Sequence, residues 1–398
     1  MDHLEEKTYA YALKNALAHE GKAMQGPVIS SLFNEGLKPS DVGKYAKKIS
    51  EIIMKVNALN LEEQEKEFEK LKEDVSEREV REGLEELPNA EKGVVMRFAP
   101  SPSGPLHIGH ALVFSLNLLY VKKYGGEIYL RIEDTNPENI YPKAYAMLKE
   151  EAEWLSDGKV KTIVQSDRMP LYYEYAEKLI KKDAVYVCTC SAEKFKEFSD
   201  EKKNCPCRKL TAKENLERWN KMLDKKGYSE GDAVLRFKSN MKHKNPAMRD
   251  FPLARINTQP HPRQKNKYKV WPLMNLAVTV DDIELKMTHI IRGKDHRDNA
   301  ERQKMIYEVL NKKFPWTAFL GRINFKDMDL STTKMRKDIE AKKYSGWDDK
   351  RLPTIASLRK QKYEPKAFLK LAEQIGLSEA DKTMDKQEYF RLLDNCNK

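Results

Sequence analysis

The chain has 398 residues, 34% of them charged, and a formal net charge of +11. That length allows roughly two to four domains with a large core. No apolar run reaches a membrane span, the N-terminus lacks the basic start and apolar centre of a secretion signal, and five cysteines do not read as a secreted disulfide framework. A cytoplasmic setting without a membrane partner is therefore expected. The charge is uneven: residues 1–90 carry net −6 and the remainder +17. A basic body suits a polyanion such as RNA, although a lysine-rich solvated surface would give the same sum.

Residues 1–90 read as helical. Apolar positions recur at helical spacing in 9–17 and at Ile49, Ile52, Ile53 and Val56. Gly26-Pro27 should break the chain before the apolar stretch 28–33. The segment 61–86 is dense in Glu and Lys and reads as a solvated helix or linker.

From residue 93 the pattern becomes strand, helix, strand, helix. A short apolar run at 93–98 is broken by Pro100, Pro102, Gly104 and Pro105, and an apolar helical stretch follows at 111–120. A helix thus begins at His107-Ile108-Gly109-His110. Free amides at a helix N-terminus attract phosphate. His107 and His110, one turn apart, can donate to the same phosphate chain, and Gly109 lets a nucleotide approach the backbone. A second buried-type strand at 126–132 makes a right-handed parallel crossover. Arg97 and Glu133-Asp134-Thr135 then stand at carboxyl ends of strands, where ligands bind in such sheets. Residues 141–183 read as helical, with Ala144, Met147, Leu148 and Ala152 on one core-facing stripe.

Two thiol pairs follow, Cys188-Thr189-Cys190 and Cys205-Pro206-Cys207. Four thiolates at two loop-like points can make a tetrahedral zinc site; the alternative is four reduced thiols without metal. Strands are expected at 233–237 and 250–256, and His261, Arg263, Lys265, Lys267 and Lys269 form a basic loop. An apolar strand at 268–276 and 277–280 then leads into the paired Asp281-Asp282. A helix is expected at 299–310 and a strand at 319–325 before the loop 330–336. Residues 338–395 read as helical, with Arg359, Lys360, Lys362 and Lys366 on a basic helix.

Three blocks carry a resemblance. Arg97-Phe98-Ala99-Pro100-Ser101-Pro102 running into His107-Ile108-Gly109-His110 resembles the first signature of class I aminoacyl-tRNA synthetases, in the glutamyl branch. Arg131-Ile132-Glu133-Asp134-Thr135 resembles its second block, with Asn136 where the family usually continues with Asp. Thr288-His289 through Arg292-Gly293-Lys294-Asp295-His296 resembles its third, with Met274 where a pocket tyrosine is common. Leu330-Ser331-Thr332-Thr333-Lys334-Met335-Arg336 stands in the place of the mobile second signature loop. The whole is similar to the archaeal-type glutamyl-tRNA synthetases.

The resemblance implies an α/β fold: a Rossmann-like catalytic domain with a parallel sheet, split by an inserted acceptor-binding domain. The expected boundaries are 1–90 for a helical extension, 91–185 and 268–335 for the catalytic halves, 186–267 for the insertion, and 336–398 for a helical region along the tRNA stem. It implies ATP-dependent attachment of glutamate to tRNA through an adenylate, with Mg²⁺ accompanying ATP and Zn²⁺ as a further metal at Cys188, Cys190, Cys205 and Cys207. His107, His110 and Lys334 would be catalytic. ATP would lie on these with Gly109 and Asp295, the last facing the ribose or the tRNA end. Glutamate would lie on Arg97, Ala99, Ser101, Glu133 and Arg292; the glutaminyl branch differs at Ala99 and Ser101, which favours glutamate as substrate. The partner is tRNA for glutamate, with tRNA for glutamine left open. No pattern of short strands follows for anticodon-reading β-barrels, so a separate chain could carry that module. Two rivals share the scaffold: a paralogue that glutamylates a modified tRNA base, and a non-catalytic RNA-binding protein.

Overall fold

The structure, a computed structural model, describes residues 3–38, 41–75 and 83–398. The chain forms two compact units, Met1–Arg81 and Glu82–Lys398, so the first ends short of the expected residue 90. No described helix is long and apolar enough to cross a membrane.

The first unit holds α1 (His3–Ala18), α2 (Gln25–Asn34), α3 (Val42–Asn57) and α4 (Leu61–Leu71). Leu13, Leu32, Ile49, Ile53 and Val56 share its core. Gly26 and Pro27 lie inside the first turn of α2 rather than before it, because the first-turn amides lack helical partners and a proline there loses no bond. Asn60 and Glu63 form a reciprocal capping box that starts α4. Gln64, fully buried, donates to the carbonyls of Gly21 and Val56 at 3.0 and 2.9 Å. The expected solvated linker beyond α4 falls partly on 76–82, outside the described residues.

The second unit opens with β1 (Val94–Phe98), α5 (Ile108–Tyr124), β2 (Gly126–Ile132), α6 (Ala144–Ser156), β3 (Val160–Val164) and α7 (Met169–Lys181). β1, β2 and β3 pair in parallel. Gly126, at φ +126°, starts β2 so close to β1 that a Cβ would sit 1.9 Å from the Val94 carbonyl oxygen. The stretch read as continuous helix at 141–183 is interrupted by β3. Only Val160 of that strand is fully buried, so it lacks the apolar signature of a central strand.

The insertion contains β4 (Val185–Cys188), α8 (Ala192–Asp200), α9 (Ala212–Leu223), β5 (Val234–Phe237), β6 (Pro252–Ile256) and β7 (Val270–Pro272). The four strands make one antiparallel sheet, which runs past the boundary expected at residue 267. Trp219 and Trp271 are its largest buried side chains.

The catalytic fold resumes with α10 (Met274–Glu284), β8 (His289–Gly293), α11 (Arg297–Val309), β9 (Trp316–Leu320) and β10 (Ile323–Phe325). The stretch 277–280, expected as strand, belongs to α10; a run buried on every side carries no period to separate helix from strand. β8 pairs with β9 in parallel, and Thr288 N–H donates to the Val95 carbonyl at 3.0 Å. These strands form two sheets, β3-β2-β1 and β8-β9, and the Thr288–Val95 contact sets β8 beside β1, so the spatial sequence β3-β2-β1-β8-β9 reverses between β1 and β8. Such a reversal opens a crevice at the carboxyl ends of the two strands.

The chain continues with α12 (Thr332–Glu340), α13 (Ile355–Lys360), α14 (Pro365–Ile375), β11 (Lys382–Met384) and α15 (Lys386–Asn397). The region expected to be all helix thus contains β11, which pairs with β10 in parallel. Phe368 and Leu371 of α14 join Phe114 and Leu118 of α5 in one apolar cluster.

Candidate active site

At the reversal of strand order lies a cavity of about 420 Å³. Arg97 and Phe98 end β1 there, Ala99 and Ser101 follow on the loop, Glu133 follows β2, and Arg292 ends β8. His107 and His110 line it from the start of α5, with Met274, His296 and Thr332 closing it.

The floor is a buried charge network. Arg131 is fully buried; it donates to Asp282 through Nη1 and to Glu133 at 3.0 Å through Nη2, and lies 3.9 Å from Asp281. Asp281 also accepts from Gln165, Arg168 and Tyr172. A buried cation is tolerable only when its charge and donors are met this way. The signal was present in the sequence, an arginine inside an apolar strand and two aspartates closing an apolar run, but their pairing was not visible there.

Above this floor, two guanidiniums keep spare capacity. Arg97 is 5% exposed, its Nε 3.7 Å from Asp282 and without a hydrogen-bond partner. Arg292 is 7% exposed; Nη1 donates to Gln303 at 2.9 Å and Nε has no partner. Burial, and then the neighbouring Arg97, push the Arg292 pKa down to about 10. Burial also lowers that of Arg97, against the pull of Asp282. Two buried guanidiniums, each with an Nε that has no partner among the described residues, thus line one cavity, and such donors can pair with an anion. Glu133 gives Oε1 to Arg131 and is, among the described residues, the carboxylate that lines the cavity.

The helix start differs in detail from the sequence expectation. His107 is the N-cap of α5, and its Nδ1 accepts from the amides of Gly109 and His110 at 3.1 and 3.4 Å. The Ile108 amide donates to the Pro353 carbonyl. The first three amides of α5 are thus spent inside the protein. An Nδ1 that accepts leaves Nε2 carrying the proton, so the imidazole is the donor. The rings of His107 and His110 stack with centroids 3.6 Å apart. Burial holds both well below the usual histidine range, His110 at about 4, so both are neutral donors rather than cations. Gly109 makes room for protein: a Cβ would stand 3.1 Å from the His107 ring and 3.3 Å from Leu330.

Lys334 is not in a loop but in the first turn of α12, which Ser331 caps. Its side chain is 64% exposed and pairs with Asp329 at 3.0 Å, lining an adjoining cavity of about 790 Å³. The two cavities share Leu330 and Ser331, and Ser103 and Thr332 are joined by a 2.8 Å hydroxyl bond. Asp295 turns away from the cavity to Arg322, at 3.2 Å. Asn136 accepts from Arg255 of the insertion.

His261, read as part of a basic loop, is fully buried; it stacks on Trp271 and places Nε2 3.0 Å from the Asp134 carbonyl. Arg359, Lys360 and Lys366 are paired with Glu150, Asp348 and Glu364.

In the insertion the Sγ atoms of Cys188, Cys190, Cys205 and Cys207 lie within 4.8 Å of one another, with Cys188 and Cys205 at 3.8 Å and Cys190 and Cys207 at 3.9 Å. No pair is bonded. Zinc–sulfur bonds of about 2.3 Å in a tetrahedron put sulfurs about 3.8 Å apart, so the donors fit that ion. Thr189 N–H and Arg218 donate to Cys207, the kind of support that orients a thiolate.

Residues 93–395 match the family described as tRNA synthetases class I (E and Q), catalytic domain. The chain belongs to this family. Among similar proteins, the glutamate–tRNA ligase of Methanocaldococcus jannaschii is 45% identical over 379 residues, covering 95% of this chain and 68% of that protein. That of Methanothermobacter marburgensis is 44% identical over 398 residues, covering 98% and 71%. Among solved structures, the glutamate tRNA ligase from Elizabethkingia meningosepticum aligns with a TM-score of 0.53 at 21% identity over 75% of this chain and 68% of that one. The likeness shows that this synthetase chain shares the family's catalytic fold.

Proposed function

We propose that this synthetase activates glutamate with ATP and transfers it to tRNA. The observation that carries the reading is the charge pattern of the cavity. Two buried guanidiniums with orphaned Nε atoms and one carboxylate are the complement of glutamate, which has two carboxylates and one ammonium. Arg97 takes the side-chain carboxylate, Glu133 the ammonium, and Arg292 orients the reacting carboxylate, with Ala99 and Ser101 shaping the wall.

The carboxylate oxygen attacks the α-phosphorus of ATP, and the bond to pyrophosphate breaks. Positioning and charge stabilisation do this work, without a protein nucleophile. His107 and His110 hold the phosphates through neutral N–H donors. Lys334 leaves Asp329 for the pyrophosphate as charge develops on it. Asp295 reaches the ribose or the tRNA end after release from Arg322. Mg²⁺ bound with ATP would supply neutralisation of phosphate charge beside the donors of His107, His110 and Lys334. A terminal hydroxyl of the tRNA then attacks the glutamyl carbonyl and AMP leaves. Cys188, Cys190, Cys205 and Cys207 would hold zinc as a closed structural site that braces the inserted domain.

The test is glutamate attachment to total RNA with ATP and Mg²⁺, with and without periodate, which destroys a free terminal ribose. Glutamate incorporation abolished by periodate is expected. Incorporation that survives on protected RNA would overturn the reading in favour of a modified-base acceptor. Sequencing the charged RNA separates tRNA for glutamate from tRNA for glutamine. If no transfer occurs, a separate chain bearing an anticodon-reading module is added; absence of transfer even then would leave a non-catalytic scaffold.

A further inference from the structure

A third cavity, of about 650 Å³, opens toward the opposite ends of the parallel strands, beside the residues that start β8 and β9. Its wall includes the aromatic side chains of Tyr307, Phe314 and Trp316 beside His289, with the Tyr307 and Phe314 rings edge-to-face at 5.1 Å. The volume lies in the range of small-ligand sites, which are mostly apolar with a few polar groups.

The rim is basic. Lys286, Lys312 and Lys313 line it, all exposed. Among the described residues none of these ammonium groups has an ion-pair or hydrogen-bond partner. Lys286 follows the end of α10, and Lys312 and Lys313 follow the end of α11, so a capping role for the helix dipoles must be weighed first. Each helix end supplies about half a negative charge. Two ends therefore offset only about one of the three lysine charges. The carboxylate in the wall, Asp282, is already held by Arg131. A positive surplus stays at the mouth of an aromatic slot. Asn89, exposed at φ +57°, adds a side-chain amide with no partner among the described residues.

We propose that this slot is a second binding site, for a small flat aromatic anion: an aromatic body against Phe314 and Trp316, and a phosphate, sulfonate or carboxylate on the three lysines. Asp282 separates the slot from Arg97, 3.7 Å beyond it, so the site lies one side chain behind the proposed substrate pocket. The inference does not rest on the glutamylation reading.

The probe is 8-anilinonaphthalene-1-sulfonate, titrated by fluorescence into the whole chain with and without saturating ATP and glutamate. A saturable site that persists with both substrates is expected. The triple variant Lys286→Glu, Lys312→Glu, Lys313→Glu should bind the probe about tenfold or more weakly, while it still unfolds in one cooperative thermal transition and keeps its kcat at saturating tRNA. The triple Lys→Arg variant should restore binding. Affinity unaltered by charge reversal, or displacement of the probe by ATP, overturns the proposal.

Discussion

Arg97 and His110 show how much of this site depends on withheld solvent. Arg97 is almost fully buried and its Nε has no hydrogen-bond partner among the described residues, so that donor is available to a planar anion. Arg97→Lys keeps the charge but loses the fork that meets a carboxylate bidentately. The expected result is a fall of about 100-fold in kcat/KM for glutamate, with KM for tRNA little changed, read from steady-state glutamylation. His110 titrates at about 4 in the fold against an ordinary value of 6.5. Between those pH values the unfolded chain binds the extra proton. The stability that the neutral ring confers is therefore present above pH 6.5 and is lost as pH falls toward 4. The ceiling is about 3 kcal/mol. In urea unfolding at pH 7 and pH 4.5, His110→Asn should lose less stability than the parent across that interval. An equal loss in both proteins would show that other groups carry the acid sensitivity.

Among the elements, α12 and the four-cysteine turn each make a checkable claim. Ser331 caps α12 and fixes Lys334 in its first turn beside Asp329. An exposed ion pair of this kind is worth little, so the lysine can leave it at small cost. Lys334→Met is expected to lower kcat by about 10²-fold while KM for ATP moves less than about threefold, the mark of a contact made in the transition state. For the cysteines, elemental analysis should return one zinc per chain, and Cys190→Ser should lower both occupancy and the melting temperature. Full stability without metal would leave four plain thiols.

What could be read beforehand follows the same division. β1, the turn at His107 and β2 were legible because apolar runs and prolines punctuate them sharply. β3 and β11 were not: one strand is mostly half-buried, and the other has a single fully buried residue, Met384. Both owe their existence to a neighbouring strand rather than to their own composition. The pocket residues on strand ends came from the resemblance to the family's motifs, whereas Arg131, Asp281, Asp282 and Gln303, which hold those residues in place, were not assigned. Apart from the bond from Arg131 to Glu133, two positions on, their roles rest on pairings distant in sequence, such as Arg292 with Gln303 across 11 positions and Arg131 with Asp282 across 151.

For the whole molecule, charge sets the terms of association. The net +17 outside residues 1–90 would draw a polyanion by releasing its counterions, a drive that weakens steeply with salt. KM for tRNA should rise at least about tenfold between 50 and 200 mM salt, while kcat at saturating tRNA changes little. A flat KM would mean that the lysines are balanced locally, as Arg359, Lys360 and Lys366 already are.

The hydrogen bonds from Ile108 to Pro353 and from Ile355 to Leu106, with the bridge between His107 and Thr354, have a consequence for the newborn chain. By the time Lys334 is made, every side chain assigned to the reaction exists, yet the backbone that clamps His107 does not. Ribosomes adding about 5–20 residues per second need tens of seconds to travel from His110 to Ile355. Throughout that interval the polypeptide holds the ingredients of an ATP site without its geometry. Catalytic competence is therefore expected to arrive abruptly and late, when 353–355 emerge from the exit tunnel and close against a turn made about 245 residues earlier.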